Sequence, residues 1–514
     1  MGGCASLDQS HDQNDFLEKQ VAVVMVPFPV QGHLNQLLHL SRLLSSYNLP
    51  IHYIGFEDHI KQAKLRVHGW DLNARSTIYF QEFPVPPSLN ISSQISRTEL
   101  MTCLFHATLQ LREPVFTFLK EVSAKYRRVV IIYDSLMTCT VQDVRLIPNM
   151  EAYCFHGSSA FNTYSFIWDA ITKLFPAYVK TNHPTMVSER LLKSFMKAFA
   201  NLKVSSLIFS SPNIRRKMKI LKNLPSIESS YPPEILEVLK KQLEFGKIKC
   251  GDIHDTSRVI EGPYLDLLTK FMGNDKQWAL GPFNPMVIME KKGPIIVRRH
   301  ECLEWLDKQA PNSVILISFG TSVSLSHDQI NELAIGLERS QQKFIWLLRT
   351  ADDRKANAST EENNVLVEAQ LPEGLEKRLE GRGIIVKDWA PQLEILAHQS
   401  TGGFMSHCGW NSCMESITMG VPIAAWPMQV DQPRNAVLIT EVLRIGLNVR
   451  KWDSKDNLTS SMTIENVVKR LMTSLEGDDM RKNAKLLGNA IKESMVDGGA
   501  TRKELDTFIA HIRR

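Results

Sequence analysis

The sequence predicts an α/β protein of two doubly wound halves facing each other across a cleft. Three observations carry that expectation. Short continuous apolar runs, of the kind a parallel sheet buries on both faces, recur in both halves: Val21 to Val26 and Val129 to Tyr133, then Val314 to Ser318 and Gly403 to Met405. Stretches with helical apolar periodicity alternate with them. Between residues 283 and 298 lies a segment rich in proline, glycine and basic side chains that reads as an interdomain linker.

Composition bounds the function. At 514 residues the chain is long enough for two large domains. Apolar content of 43% and charged content of 22% fit an ordinary globular protein. A net charge of +5 is mild over this length and argues against nucleic acid as the main partner. The most basic run, Arg215 to Lys219, reads as a solvated helix face. There is no run of 18 apolar residues and the first twenty residues are polar, so neither a membrane span nor a secretory signal is expected, and a cytoplasmic location is. The eight cysteines are scattered without a CxxC or a histidine at metal spacing, which predicts reduced core thiols and no metal. Met1 to Ser6 fits an acylation pattern, with Gly2 and Cys4 as the two sites; the alternative is a disordered leader of small residues.

In chain order, residues 1–20 form a polar leader. A strand from Val21 is followed by a tight loop, Pro27 to Asn35, a helix from about Leu34 to Tyr47, and a strand from Ile51 to Ile54. The loop lies at the C-terminal edge of a βαβ unit, where doubly wound folds bind ligands, and it carries His33. Position alone leaves that histidine between a functional and a structural role. A helix-rich span leads to Val129–Tyr133, which ends in Asp134 at the same edge. Asp134 either caps the next turn or orients the His33 imidazole. Residues 165–250 read as helices and loops on one side of the cleft.

The second half repeats the plan. Glu301 to Lys308 reads as a helix and Val314 to Ser318 as a strand; the turn Phe319 to Ser322, with Thr321, can face an anion with its amides. Gln329 to Glu338 is helical, Phe344 to Arg349 and Gly383 to Val386 are strands, and 351–368 is a polar loop. The densest stretch runs from Trp389 to Gln432. Gly403 to Met405 is a strand, His407 to Gly409 a turn, Asn411 to Met419 a helix stopped by Gly420 and Pro422, and Val421 to Trp426 a second strand ending in Asp431 and Gln432. The first helical amides then point out of the sheet edge, and with the positive helix end they form an anion site. Asn411 and Ser412 add donors, and His407 reaches the same anion. Glu415 is placed to accept from hydroxyls. Trp389 offers a flat face beside the Gln392 amide. Base, ribose, diphosphate and hexose each find a partner in this stretch.

From Trp389 to Gln432, without a gap, the sequence resembles the donor-binding signature of plant secondary-metabolite glycosyltransferases that use UDP-sugars. The resemblance implies a GT-B-like fold of two Rossmann-like domains: an acceptor domain over 21–282, the linker 283–298, a UDP-sugar domain over 299–490, and a last segment, 491–514, crossing back onto the first. It implies that Trp389 stacks on uracil and the Ala390 backbone pairs with it, that Gln392 and Glu415 hold the ribose, and that His407, Asn411 and Ser412 hold the diphosphate. Trp410, Asp431 and Gln432 would meet the sugar, Gln432 suggesting glucose without excluding xylose. It also favours the sharper reading of Asp134, as partner of a catalytic base His33. Partners would be a small-molecule acceptor and a UDP-sugar, with UDP-glucose as co-substrate, no cofactor, no metal and a monomeric enzyme.

Within that family the resemblance is closest to zeatin O-glycosyltransferases. It rests on Gln31 to Arg42, where Gln36 replaces the proline common in other relatives, on Asp134 to Met137 with Gln142 and Asp143, and on Gly251 to Pro263. The stretch 193–229 is longer than in those relatives. A terpenoid, phenolic or other hormone hydroxyl is the alternative acceptor. Two rival classes remain. The first is another enzyme on the same two-domain plan, a sugar-nucleotide epimerase or a dinucleotide-dependent oxidoreductase; the oxidoreductase would carry G-x-G-x-x-G after a first strand, and none is present. A non-catalytic sugar-nucleotide sensor would be expected to lose His33 or Asp134.

Overall fold

The computed structural model describes residues 20–65, 77–86, 89, 97–174, 220, 224–272, 276–286, 299–320, 325–348, 371–379, 381–387 and 389–514. Gly2 and Cys4, the basic run 215–219, the loop 351–368, Thr321, and most of both 193–229 and the linker lie outside the described residues.

The apolar runs become strands because each can bury both faces at once. In the first half these are β1 (Val21–Val26), β2 (Ile51–Phe56), β3 (Ile78–Phe83), β4 (Arg128–Asp134), β5 (Met150–His156), β6 (Gly251–His254) and β7 (Gln277–Ala279). They pair in the order β3-β2-β1-β4-β5-β6-β7. The second half supplies β8 (Val314–Ser318), β9 (Lys343–Leu347), β10 (Gly383–Val386), β11 (Thr401–Ser406), β12 (Ile423–Ala425) and β13 (Gly446–Asn448), in the order β10-β9-β8-β11-β12-β13. Every pairing in both sheets is parallel. Strand order reverses between β1 and β4 in one sheet and between β8 and β11 in the other. Those are the crevices where open parallel sheets take ligands.

Several boundaries differ from expectation. The helix α1 (Gln31–Ser45) starts three residues before the expected Leu34, so His33 sits in its first turn and not in a loop before it. The strand expected from Val421 to Trp426 is only Ile423–Ala425. Asp431 and Gln432 therefore do not end a strand: Asp431 is the N-cap, and Gln432 the first residue, of a separate short helix. Four strands of the first sheet were not foreseen; one of them, β7, has only three residues. β3 is an edge strand with only its two ends buried, and β6 buries all four residues although two are Asp252 and His254, so neither shows an apolar run. In β5 the apolar core, Ala152 to Phe155, is flanked by Glu151 and His156.

The helices that matter for the site are α1, α2 (Ala160–Leu174), α3 (Pro233–Glu244), α4 (Gln392–Ala397), α5 (Trp410–Met419), α6 (Gln432–Val437), α7 (Leu475–Met495) and α8 (Ala500–Arg513). After the break that follows α7, α8 packs Phe508 against Tyr153 and Trp278 of the first sheet, with ring centroids 5.5 and 5.4 Å apart. Leu505, Ile509 and Ile512 join the same core cluster as β1 and α1. The last helix is thus docked on the first half by apolar burial.

Candidate active site

The first-half crevice is built around one pair. His33 Nδ1 lies 2.6 Å from Asp134 Oδ2. Asp134 is fully buried, and its other oxygen accepts the Leu136 N–H at 2.9 Å. It is therefore both the cap of the turn after β4 and the partner of the imidazole, the two roles the sequence had set against each other. The Phe28 ring meets the imidazole edge-on at 5.8 Å. With the carboxylate on Nδ1, the proton sits there and Nε2 carries the lone pair. Burial disfavours the imidazolium, but the charge and hydrogen bond of Asp134 outweigh it and Asp431 adds to them, so the pKa of His33 is raised above 6.5. Asp431 lines the same cavity as His33, from the other half.

The second-half crevice is built around the start of α5. Gly409 precedes it and Cys408 turns the chain at φ 63°. The amides at the head of α5 lack intrahelical acceptors and carry the positive helix end. Gly420 at φ 72° stops the helix, as expected. His407, 7% exposed, packs under the turn after β8: a Cβ on Gly320 would come within 2.7 Å of its ring. Gly320 is also at φ 75°, so glycine is required there twice over. Gln392, at the start of α4, donates to Glu415 at 2.7 Å and to Ser412 Oγ at 3.2 Å. Burial lifts the Glu415 carboxyl to about 7, against the Gln392 hydrogen bond. Trp389 is 45% exposed, and its carbonyl accepts from His300 at 3.1 Å. Ala390 is buried beside it.

Asp431 follows Val430, which stands at φ 58°, a conformation a β-branched residue rarely holds. The Val430 N–H is anchored on Ser230 O at 2.8 Å, in the first half of the chain. Asn435 donates to Asp431 at 2.8 Å and to Cys408 O at 3.1 Å, and accepts from Ser159 Oγ at 2.7 Å. The Gln432 side-chain oxygen accepts the Met428 and Gln429 amides, at 2.9 and 3.1 Å, which leaves its NH₂ as the end that donates outward.

Two signature side chains also reach the other half. Trp410 is buried, and its indole donates to Asp255 O at 2.8 Å. Asn411 Nδ2 donates to Gly32 O, next to His33, at 2.9 Å. Asp255 in turn accepts from Gln36 at 3.0 Å and from the Phe283 amide at 3.0 Å, and burial raises it to about 6. Gln36, singled out by its place in the motif, thus ties the helix of His33 to the turn after β6 that holds Trp410. Asp255 lay inside the 251–263 stretch that carries the resemblance but was given no role, and Asn435, a lone Asn on a helix just past the signature, has no motif.

One cavity of about 540 Å³ is lined from both sides. His33 faces it from the first half; Trp389, Ala390, Gln392, His407, Trp410, Asn411, Ser412, Glu415, Asp431 and Gln432 face it from the second. Asp134 stands behind His33, and Thr321 is outside the described residues.

Comparison with known proteins places the chain in a family. Residues 19–211 and 196–285 match the glycosyltransferase N-terminal domain, in two pieces that overlap inside the long stretch, and residues 278–491 match the UDP-glucoronosyl and UDP-glucosyl transferase family. The zeatin O-glucosyltransferase of Phaseolus lunatus is 47% identical over 97% of this chain and 98% of its own. This chain is a UDP-glycosyltransferase. The zeatin O-xylosyltransferase of Phaseolus vulgaris is 46% identical over 97% of this transferase and 99% of its own length. Among solved structures, the transferase superposes on a Polygonum tinctorium UDP-glucosyltransferase with a TM-score of 0.70 at 26% identity, covering 96% and 99% of the two chains. A UGT from Phytolacca americana, complexed with UDP-2-fluoro-glucose and pterostilbene, shares the fold at a TM-score of 0.70 and 23% identity, over 96% and 99%. The two sheets of the transferase are the two Rossmann-like domains of the GT-B plan.

Proposed function

We propose that this transferase moves glucose from UDP-glucose to the side-chain hydroxyl of a zeatin-type cytokinin, with inversion at the anomeric carbon. The observation that carries the chemistry is the shared cavity, with the His33–Asp134 pair on one wall and the head of α5 on the other. The acceptor class comes from the relatives at 47% and 46% identity. His33 Nε2 takes the proton of the attacking hydroxyl, and Asp134 stabilises the imidazolium that forms. The amides at the start of α5, with Ser412 and His407, hold the departing diphosphate charge; a helix end does this without a metal. Trp389 stacks on the base beside Ala390, and the Gln392–Glu415 pair takes the ribose. Asp431 and the Gln432 NH₂ hold hexose hydroxyls, with Trp410 beside them. Attack opposite the diphosphate converts an α-linked donor into a β-glycoside, through a transition state with oxocarbenium character.

On this reading the acceptor domain runs to 282, the donor domain from 299 to 490, and the remainder after it returns to the first domain, as the packing of Phe508 supports. Among the described residues no helix is long and apolar enough to cross a membrane. UDP-xylose is the second donor reading, because one of the two relatives above is named as a xylosyltransferase. The test is UDP release and product mass with UDP-glucose and UDP-xylose against cytokinins, phenolics and terpenoid alcohols. Glucosylated zeatin as the fastest product is expected. Fast transfer only to phenolics or terpenoids would remove the acceptor assignment and leave the transferase.

A further inference from the structure

The cavity continues past His33 onto one face of the first sheet, and at the ends of β5 and β6 that face turns polar. Parallel strands buried on both sides are expected to be apolar throughout. The opposite face of β5 and β6 obeys, with Tyr153, Phe155 and Ile253 in the core. On the near face, Cys154 stands beside Asp252 and His156 beside His254 in the strand register. The two histidine rings stack at 4.8 Å. Asp252 is 1% exposed, and one of its oxygens accepts from His156 Nε2 at 2.7 Å and from Lys249 Nζ as well. Its other oxygen accepts from Gln277 at 2.9 Å.

The buried Tyr133 hydroxyl lies near Cys154 and Thr138 and makes no protein hydrogen bond of normal geometry. Tyr133, Cys154, His156 and Lys249 all line the cavity. The side chains of His156 and Lys249 are 16% and 15% exposed. Cys154, His156 and Asp252 hold their ligand-type atoms within 4.8 Å, but the Lys249 ammonium already competes for the carboxylate oxygen a metal would need. The cation here belongs to the chain. Buried polar groups are costly unless they are used, and this patch has donors left over: an ammonium offers three and Asp252 takes one.

We propose that Lys249, His156 and the Tyr133 hydroxyl form the far end of the acceptor site and read the ring nitrogens of an N-heteroaromatic acceptor. The proposal rests on the cytokinin-type reading above and deepens it. Such an acceptor is a flat purine carrying a short alkyl arm that ends in a hydroxyl. The hydroxyl goes to His33, whose ring is 3.1 Å from where a Gly157 Cβ would stand, one residue along from His156. The ring lies between Phe105, Phe166 and Tyr231, which line the cavity's apolar stretch. Its in-plane lone pairs then meet the Lys249 ammonium and the Tyr133 hydroxyl. Asp252 keeps the Lys249 ammonium and the His156 ring in place and does not touch the ligand, so it is a positioning residue.

The test compares two acceptors with the same hydroxylated arm, one on a purine and one on aniline, in the wild type, Lys249→Met and Lys249→Arg. Lys249→Met leaves Asp252 with His156 and Gln277 as partners. It is expected to raise KM for the purine acceptor about 10- to 100-fold, the loss of one hydrogen bond from a charged donor. KM for UDP-glucose and for the aniline analogue should stay within about twofold, and Lys249→Arg should restore much of the loss. Equal rises for both acceptors, or no rise, would overturn the subsite while the transferase stands. A measurement without mutants uses deaza-purine acceptors on the unaltered enzyme: loss of a ring nitrogen should raise KM, and a flat KM across the series would equally sink the proposal. Transfer to phenolic or terpenoid alcohols with none to any purine would remove the subsite and the acceptor class together.

Discussion

In the first sheet, the crevice between β1 and β4 holds an imidazole braced by a buried carboxylate. In the second, the matching crevice between β8 and β11 holds a helix end and a histidine packed on a glycine turn. The connectivity is alike, and on the proposed function the chemistry is complementary: one crevice would supply a proton acceptor, the other a cradle for negative charge. In the first, the proposed function rests on a single pair brought from 101 residues apart. In the second it is spread over one continuous stretch. That difference teaches where the protein is fragile. A side chain lost from the first crevice should remove chemistry and spare donor binding. One lost from the second should weaken the donor and spare the chemistry in proportion.

The largest expected effect sharpens this contrast. His33→Ala should cut kcat by about 10²- to 10⁴-fold, the usual contribution of a general base, while UDP affinity measured by calorimetry stays unchanged. Equal turnover by the mutant would take the base away from His33. Next comes Asp134→Asn, with an expected loss of about 100-fold and a shifted pH profile. The base must be neutral to act, and its pKa is raised above 6.5 chiefly by Asp134 against the cost of burial. The wild-type kcat/KM should therefore fall as pH drops through a value above 6.5, and the asparagine variant should move that limb to lower pH. An unmoved limb would show that the titrating group is not His33.

In the second crevice, Trp389→Ala should weaken UDP binding by about 1–3 kcal/mol, the range for a base stacked on an aromatic ring. Gln392→Leu should raise KM for UDP-glucose about tenfold with acceptor KM unchanged, since one hydrogen-bond donor to the ribose pair is lost. The smallest and most pointed change is Gln432→His, expected to shift the sugar preference without lowering total UDP affinity. Unaltered preference would show that Gln432 does not read the hexose.

How much was legible in advance follows from the same contrast. The donor crevice could be read because a strand, a turn and a helix start are adjacent in sequence, and local geometry alone aims the amides. Even there Asp431 was misplaced, because a loop of five residues separates β12 from the helix cap and apolar character gave no sign of it. His33 and Asp134 were found one by one as residues past strand ends; only the family resemblance joined them.

By itself the sequence determined the layered architecture, the anion-holding helix end and the identity of the two catalytic candidates, because strand burial and helix termini depend on near neighbours. Tertiary structure alone decided that Asn411 meets Gly32 across 379 residues of chain, that Gln36 and Trp410 share Asp255, and that Lys249 and His156 share Asp252 on a polar sheet face. Those contacts join segments whose spacing in sequence carries no period. Their partners are single polar side chains, and what makes each informative is its burial, which no local pattern records.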